Sequence, residues 1–257
     1  KLWFAIREDL GPTEFLGYQT ETAEGSIVAI VKDGKRVESA KTGDTVRILT
    51  NQTPFYAEGG GQVGDKGAMF SGRAAEGDVS DTERKLGDLN VHVVKVTRGS
   101  LSVGDGVALR VNSELRRATR ANHSATHLLH AALKRVLGPH VAQKGSLVAP
   151  DRLRFDFSHP KPVTPDELAA IENEVNAVVR QNNDVKTRLM PTKQAIEAGA
   201  VAMFGEKYGD EVRVLSMGDD LAAAQKPFSV ELCGGTHVRR LGDIGLFTIL
   251  SEGAVAS

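Results

Sequence analysis

The chain has 257 residues, with 32 lysines and arginines against 33 aspartates and glutamates, a formal net charge of −1 with histidines neutral, and 40% hydrophobic residues. These proportions exclude a disordered polymer and suffice for one large domain or two modest ones, and near-neutrality leaves only local patches, not a global basic field, for any nucleic-acid contact. No apolar run reaches the ~18 residues needed to cross a bilayer, no leader opens the chain, and the sole cysteine, Cys233, excludes an internal disulfide; we expect a cytoplasmic protein without membrane contact, its thiol free to act as a ligand.

Residues 1–12 read as the tail of a preceding helix, because Leu2, Ile6 and Leu10 recur at helical spacing and Gly11-Pro12 stops the run. From Thr13 to Val111 the text changes to short β-branched or alternating runs such as SIVAIVKDGKRVESA, DTVRILT and LNVHVVKVTRG. Asp33-Gly34, Gly43-Asp44, Gly87-Asp88 and Gly104-Asp105 punctuate them, and a small β-barrel or sandwich is expected over 13–111. Within it, TPFYAEGGGQVGDKG places Gly59, Gly61 and Gly64 in G-x-G-x-x-G spacing. The next residues are Asp65-Lys66-Gly67, another turn, where a dinucleotide site needs a helix, so the segment reads as a turn or a close backbone approach.

Residues 112–257 carry helical periods and further strands. NSELRRATRANHSATHLLHAALKRVLGP is one long helix, with Asn112 or Ser113 as N-cap and Gly138-Pro139 as its stop. A second helix starts at a capping box of Thr164, Pro165 and Glu167 and aligns Leu168, Ile171, Val175 and Val178 on one face. SLVAP, LRFDFS, EVRVLSMG, FSVELCGGTHV and GLFTILS read as strands. The expected architecture is α+β: an N-terminal β-barrel over 13–111, then an α+β domain over 112–257 with helices packed on an antiparallel or mixed sheet. Because the chain opens without Met and stops at SEGAVAS, we expect a piece of a longer polypeptide.

His123 and His127 stand four residues apart in the long helix, so their imidazoles share a face and can aim at one ion. That pair alone is weak, since seven histidines produce such spacing by chance. Cys233 precedes His237 by the same interval at the exit of an expected strand, and a thiolate with imidazoles is the donor set that zinc selects. Gly234 and Gly235 let the loop bend so that both ends face one ion. A zinc peptidase is disfavoured, because H-E-x-x-H needs a glutamate where this chain has Ser124. Whether the site is closed and structural or keeps a position open for catalysis is left undecided by the sequence. His130, next along the same face, reads as a core histidine and not as a ligand.

The stretches TPFYAEGGGQVGDKG, NHSATHLLHAAL, QKGSLVAPDRLRFDFSH, FGEKYGDEVRVLSMG and ELCGGTHV, in this order, resemble the editing region of bacterial alanyl-tRNA synthetases; free-standing AlaX deacylases and the threonyl-tRNA synthetase editing domain are similar but less exact. The resemblance implies a barrel followed by an α+β editing domain that hydrolyses mischarged Ser-tRNA(Ala) and Gly-tRNA(Ala), an ester hydrolase that does not itself charge tRNA. It implies that aminoacylation and C-terminal domains flank this region in the full-length enzyme. It places Zn2+ on His123, His127, Cys233 and His237, makes Thr126 the hydroxyl that senses the amino-acid side chain, and puts Gln143 and Ser146 near the scissile ester. Helical geometry sets Thr126 about 100° round from its neighbours, at the rim of the site. The family's E-S-G-G-Q reads Glu58-Gly59-Gly60-Gly61-Gln62 here, so a role for that serine does not carry over. Arg120, Arg116, Lys144 and Arg239 are the first candidates for tRNA contact, with Arg117, Arg152, Arg154 and Arg240 nearby in sequence. The alternative expectation is a non-catalytic tRNA-binding module with a structural zinc.

Overall fold

The computed structural model describes residues 1–197, 199–201, 209–223 and 226–254; residues 204–208 of the FGEKYG stretch lie outside them. The chain divides into two compact units, Lys1–Arg116 and Arg117–Ser257.

In the first unit, helix α1 (Leu2–Leu10) ends at Gly11, whose φ of 76° suits a residue without a Cβ. Its Leu2, Trp3, Ile6 and Leu10 pack with Ala29, Val31, Leu49, Leu89 and Val91, so the helix tail shares a core with strands. Six strands, β1 (Thr22–Lys32), β2 (Thr45–Thr50), β3 (Gly67–Ser71), β4 (Ala75–Lys85), β5 (Leu89–Arg98) and β6 (Gly106–Val111), pair in the order β6-β3-β4-β5-β2-β1, and β1 pairs again with β6. All these ladders are antiparallel, so the sheet closes into a barrel and leaves no open edge among these strands. Alternation supplies the inside: Val107, Leu109 and Val111 are buried while Gly106, Ala108 and Arg110 are exposed, and Ile27, Ile48, Phe55, Met69, Val94 and Leu101 complete the interior. Asp33-Gly34 turns the chain at φ 49° and 75°, as expected, whereas the hairpin between β4 and β5 turns at Leu86-Gly87, φ 54° and 87°, one residue earlier than the sequence suggested.

The glycine-rich stretch is a tight turn. Gly59 and Gln62 exchange backbone hydrogen bonds of 3.1 and 3.0 Å around Gly60 and Gly61, both at positive φ. A Cβ on Gly64 would stand 2.2 Å from the Thr82 carbonyl oxygen, so this glycine marks a close backbone approach.

Arg116 belongs to this unit and corrects one expectation. Its side chain is fully buried; Nε donates to both oxygens of Asp65 at 3.0 and 2.9 Å, Nη1 to the Gly17 carbonyl at 2.9 Å and Nη2 to the Pro54 carbonyl at 2.7 Å. Asp65 also accepts from the Tyr56 amide at 2.7 Å. The guanidinium knots three loop segments together and is not available to tRNA, because its donors are already spent inside.

In the second unit, helix α2 (Ser113–Leu137, here from Arg117) and helix α3 (Pro165–Gln181) lie in one core. Ala125, Leu128, Ala132 and Leu133 of α2 meet Ile171, Val175 and Val178 of α3. Thr164 and Glu167 form the expected capping box with Pro165 in the first turn, and Asn182 closes α3 in the left-handed conformation at φ 52°. The strands β7 (Ala142–Val148) and β8 (Leu153–Ser158) form a hairpin; β9 (Lys186–Pro191), β10 (Glu211–Asp219) and β11 (Pro227–Leu232) form a separate antiparallel sheet that places Leu215, Met217 and Phe228 in the same core. Helices thus pack on strands, but the named strands make two antiparallel sheets instead of one. A short helix, α4 (Thr192–Glu197), comes after β9. GLFTILS is not a strand: the Phe247 amide and carbonyl pair with the Asn176 side chain of α3 at 2.9 and 2.8 Å, which takes the place of a ladder partner.

Arg116→Ala leaves the Asp65 carboxylate buried without its cation, and we predict a loss of ~3–5 kcal/mol in the stability of the first unit, measured as a lower urea midpoint with unchanged slope.

Candidate metal centre

Helix α2 presents His123 and His127 on successive turns, both buried, with their rings stacked at 5.2 Å between centroids and 16° between planes. Strand β11 delivers Cys233 just past its end, and Gly234-Gly235 turn the chain so that His237 folds back beside it. One ligand atom from each of His123, His127, Cys233 and His237 lies within 4.8 Å of all the others. Cys233 Sγ stands 3.5 Å from His123 Nε2 and 3.3 Å from His237 Nε2. Donors bound to one tetrahedral zinc at ~2.0–2.3 Å stand roughly 3.3–3.7 Å apart, so these separations fit. His127 Nε2 adds a second sign: it is buried and has no hydrogen-bond partner, as an atom reserved for a cation would be.

The electrostatics suit the same donor set. Burial opposes ionisation of Cys233, but the imidazoles of His123, His237 and His127 outweigh it and hold the thiol well below its ordinary value. Burial drives His237 down to about 3, against the pull of Cys233, which leaves a neutral ring. On His127 burial also works downward, yet Glu231 and Cys233 prevail and raise it to about 10; on Glu231 burial works upward, and His127 and His130 hold it to about 2. Buried acid thus favours positive charge beside His127, which a cation at Nε2 would supply.

A layer of supporting contacts surrounds the four clustered donors. Glu231 Oε2 is hydrogen-bonded to His127 Nδ1, and Glu231 Oε1 lies 2.5 Å from His130 Nδ1. Ser124 Oγ, fully buried, stands 3.1 Å from His237 Nδ1 and accepts the Val238 amide at 3.1 Å. Neither Glu231 nor Ser124 was found from the sequence. The signal for Glu231 was present: it is an acid in an otherwise apolar strand, two residues before Cys233 and so on the same face. Ser124 gave none beyond adjacency to His123. His130 sits on Glu231 and is not one of the four.

The other expected site residues occupy varied surroundings. Thr126 is buried, and its hydroxyl donates to the Asn122 carbonyl one turn back at 2.8 Å. Gln143, at the bulge of the β7–β8 hairpin, keeps both amide atoms buried without a hydrogen-bond partner. Ser146 is half-buried on the same strand, Arg120 is half-buried on α2, and Lys144 and Arg239 are exposed. Arg152, Arg154 and Arg240 are exposed but pair with Asp151, Asp156 and Asp184, and such surface pairs are weak enough to yield to a phosphate.

A barrel followed by this histidine and cysteine cluster defines a class before it defines a protein: residues 2–115 match the family of class II tRNA synthetases, and residues 212–257 match the second additional domain of threonyl and alanyl tRNA synthetases. Over its whole length the chain is 60% identical to the alanine–tRNA ligase of Parvibaculum lavamentivorans, 58% to that of Bradyrhizobium diazoefficiens and 59% to that of Rhizorhabdus wittichii. Over its whole length the chain is thus similar to one segment of alanine–tRNA ligases. It spans 29% of the length of these relatives.

Metal analysis of the purified chain should find about one zinc per molecule, and Cys233→Ala should reduce it to background; a parent chain free of zinc after preparation and reloading contradicts the assignment.

Proposed function

We propose that the chain is the editing module of an alanyl-tRNA synthetase, a zinc-dependent ester hydrolase that clears Ser-tRNA(Ala) and Gly-tRNA(Ala) and so guards translation fidelity in the cytoplasm. The observation that carries the reading is the convergence of the α2 histidines with Cys233 and His237, the latter two lying inside the stretch that matches the threonyl and alanyl second additional domain.

The need for such a site comes from recognition chemistry. A pocket built for alanine rejects an added hydroxyl only about a hundredfold, so a second site has to remove serine after charging. That second site can demand what the first cannot exclude. Thr126 has already given its proton to Asn122, so its oxygen offers lone pairs to the serine hydroxyl. Alanine brings a methyl group instead and offers that oxygen no proton to accept, so it forgoes a hydrogen bond worth ~0.5–1.5 kcal/mol. Glycine is small enough to leave room for a water in the same place. Gln143 holds one buried amide donor and one buried acceptor unpaired, suited to orient the ester and the α-amino group beside Ser146. Zinc, when bound, supplies positive charge that polarises a water or fixes the substrate's amino group. No acid lies between the histidines; as water adds to the ester carbonyl and the ester C–O bond breaks, the proton that the water gives up ends on the departing ribose oxygen of the tRNA.

Arg120, Lys144 and Arg239 are the first candidates for phosphate contact, followed by Arg117 and the arginines of the surface pairs. Aminoacylation and C-terminal domains of the longer polypeptide add the rest of the tRNA grip.

A second reading draws on one observation: four protein donors are enough to fill a tetrahedral ion, which is the pattern of a structural site in a tRNA-binding module without catalysis. Serine release separates the two. Incubated with Ser-tRNA(Ala), the chain should free serine well above spontaneous ester loss; tRNA binding without release leaves only the structural role. Thr126→Val should narrow the discrimination between Ser-tRNA(Ala) and Ala-tRNA(Ala) about tenfold, near 1.4 kcal/mol, at unchanged zinc content, and a variant as selective as its parent removes Thr126 from the sensing role.

A further inference from the structure

Glu231 is buried, with 3% of its surface exposed, and is neither one of the four clustered ligands nor a substrate contact of the proposed reaction. A carboxylate in such a place is costly unless both oxygens are engaged. Here both are: Oε2 pairs with His127 Nδ1 and Oε1 with His130 Nδ1, the second at 2.5 Å. Helix α2 supplies both imidazoles, three residues apart and therefore on one face, while β11 supplies the carboxylate from the same strand face as Cys233. The two histidines share a further trait, since the Nε2 atom of each is buried without a hydrogen-bond partner.

An imidazole that gives its Nδ1 proton to a carboxylate is held in the tautomer whose lone pair is on Nε2, and its ring is fixed about its long axis. For His127 that lone pair belongs to the cluster with Cys233, His123 and His237. His130 packs against the Phe155 ring at 5.3 Å and occupies the other carboxylate oxygen, so the carboxylate plane cannot swing away from His127. The charges also close. One divalent cation, the Cys233 thiolate, the Glu231 carboxylate and neutral imidazoles sum to zero, whereas the same buried centre without Glu231 carries a net positive charge in a medium that screens it poorly.

We infer that Glu231 is the positioning residue of the metal centre, clamped by His130 and fixing His127 so that Nε2, not Nδ1, meets the ion. The inference rests on the zinc reading of the four-residue cluster, and the test keeps the two apart. The affinity of the full chain for Zn2+ is measured by competition with a chromogenic chelator. A parent chain that binds no zinc overturns the zinc reading, and this inference with it. With zinc bound by the parent, Glu231→Gln should weaken affinity ~10–100-fold, His130→Phe less so because His127 keeps its partner, and Cys233→Ala most of all. Equal affinity in Glu231→Gln and parent overturns the positioning role alone. A second measurement needs no variant: nitrogen NMR of the zinc-bound parent should show His127 protonated at Nδ1 and bound to metal through Nε2. Zinc on Nδ1, or a proton on Nε2, overturns the inference whatever the variants do.

Discussion

Two acids, the half-buried Cys233 thiol and the buried Glu231 carboxyl, stand two residues apart at the end of β11, and the centre of the second unit is arranged to favour their ionisation. The answering groups all come from α2 and from the loop that Gly234 and Gly235 turn back. This requirement explains why a helix carrying His123, His127 and His130 on one buried face is tolerated at all, since imidazoles are poor core material unless each nitrogen has a use. It also ties the site to packing. The apolar residues interleaved with the histidines, Ala125, Leu128, Leu129 and Ala132, hold α2 against α3 and the β9–β10–β11 sheet, so the helix that carries two of the clustered donors is fixed by the same core that fixes the strand leading to the other two.

The first unit also answers a buried acid with a buried partner, here a side-chain cation. Arg116 and Asp65 are a buried ion pair whose remaining donors go to the carbonyls of Gly17 and Pro54, in segments that connect the barrel strands. A closed barrel has no free strand edge with which to anchor its connections, and a guanidinium with fixed fork geometry anchors several at once. The glycine-rich turn nearby needs its glycines for two separate reasons, positive φ at Gly60 and Gly61 and lack of space at Gly64, and neither reason involves a phosphate.

Legibility differed by the kind of force at work. The capping box at Thr164, the Asp33-Gly34 turn and the helical histidine pair were readable because each depends on neighbours within a few residues. GLFTILS misled because its apolar alternation is that of a strand, while its backbone finds a partner in Asn176, 71 residues away. Arg116 misled for the same reason: an arginine on a helix beside histidines has the composition of a tRNA contact, and only the fold puts Asp65 against it. Glu231 stood in plain view two residues before Cys233, but an acid in a strand acquires meaning only when the imidazoles that bond it are known.

The sequence by itself determined the donor chemistry, one thiol and three histidines in two pairs each four residues apart, together with the helices, turns and strand alternation that carry them, because these depend on residue type and on periods of 3.6 and 2. The tertiary structure alone decided that residues 110 apart meet at 3.5 Å, that the strand set closes into a barrel, and which charges are spent inside. Those outcomes depend on long-range burial, where the energy of a charge is set by the partner that packing brings to it and not by the residues beside it in the chain.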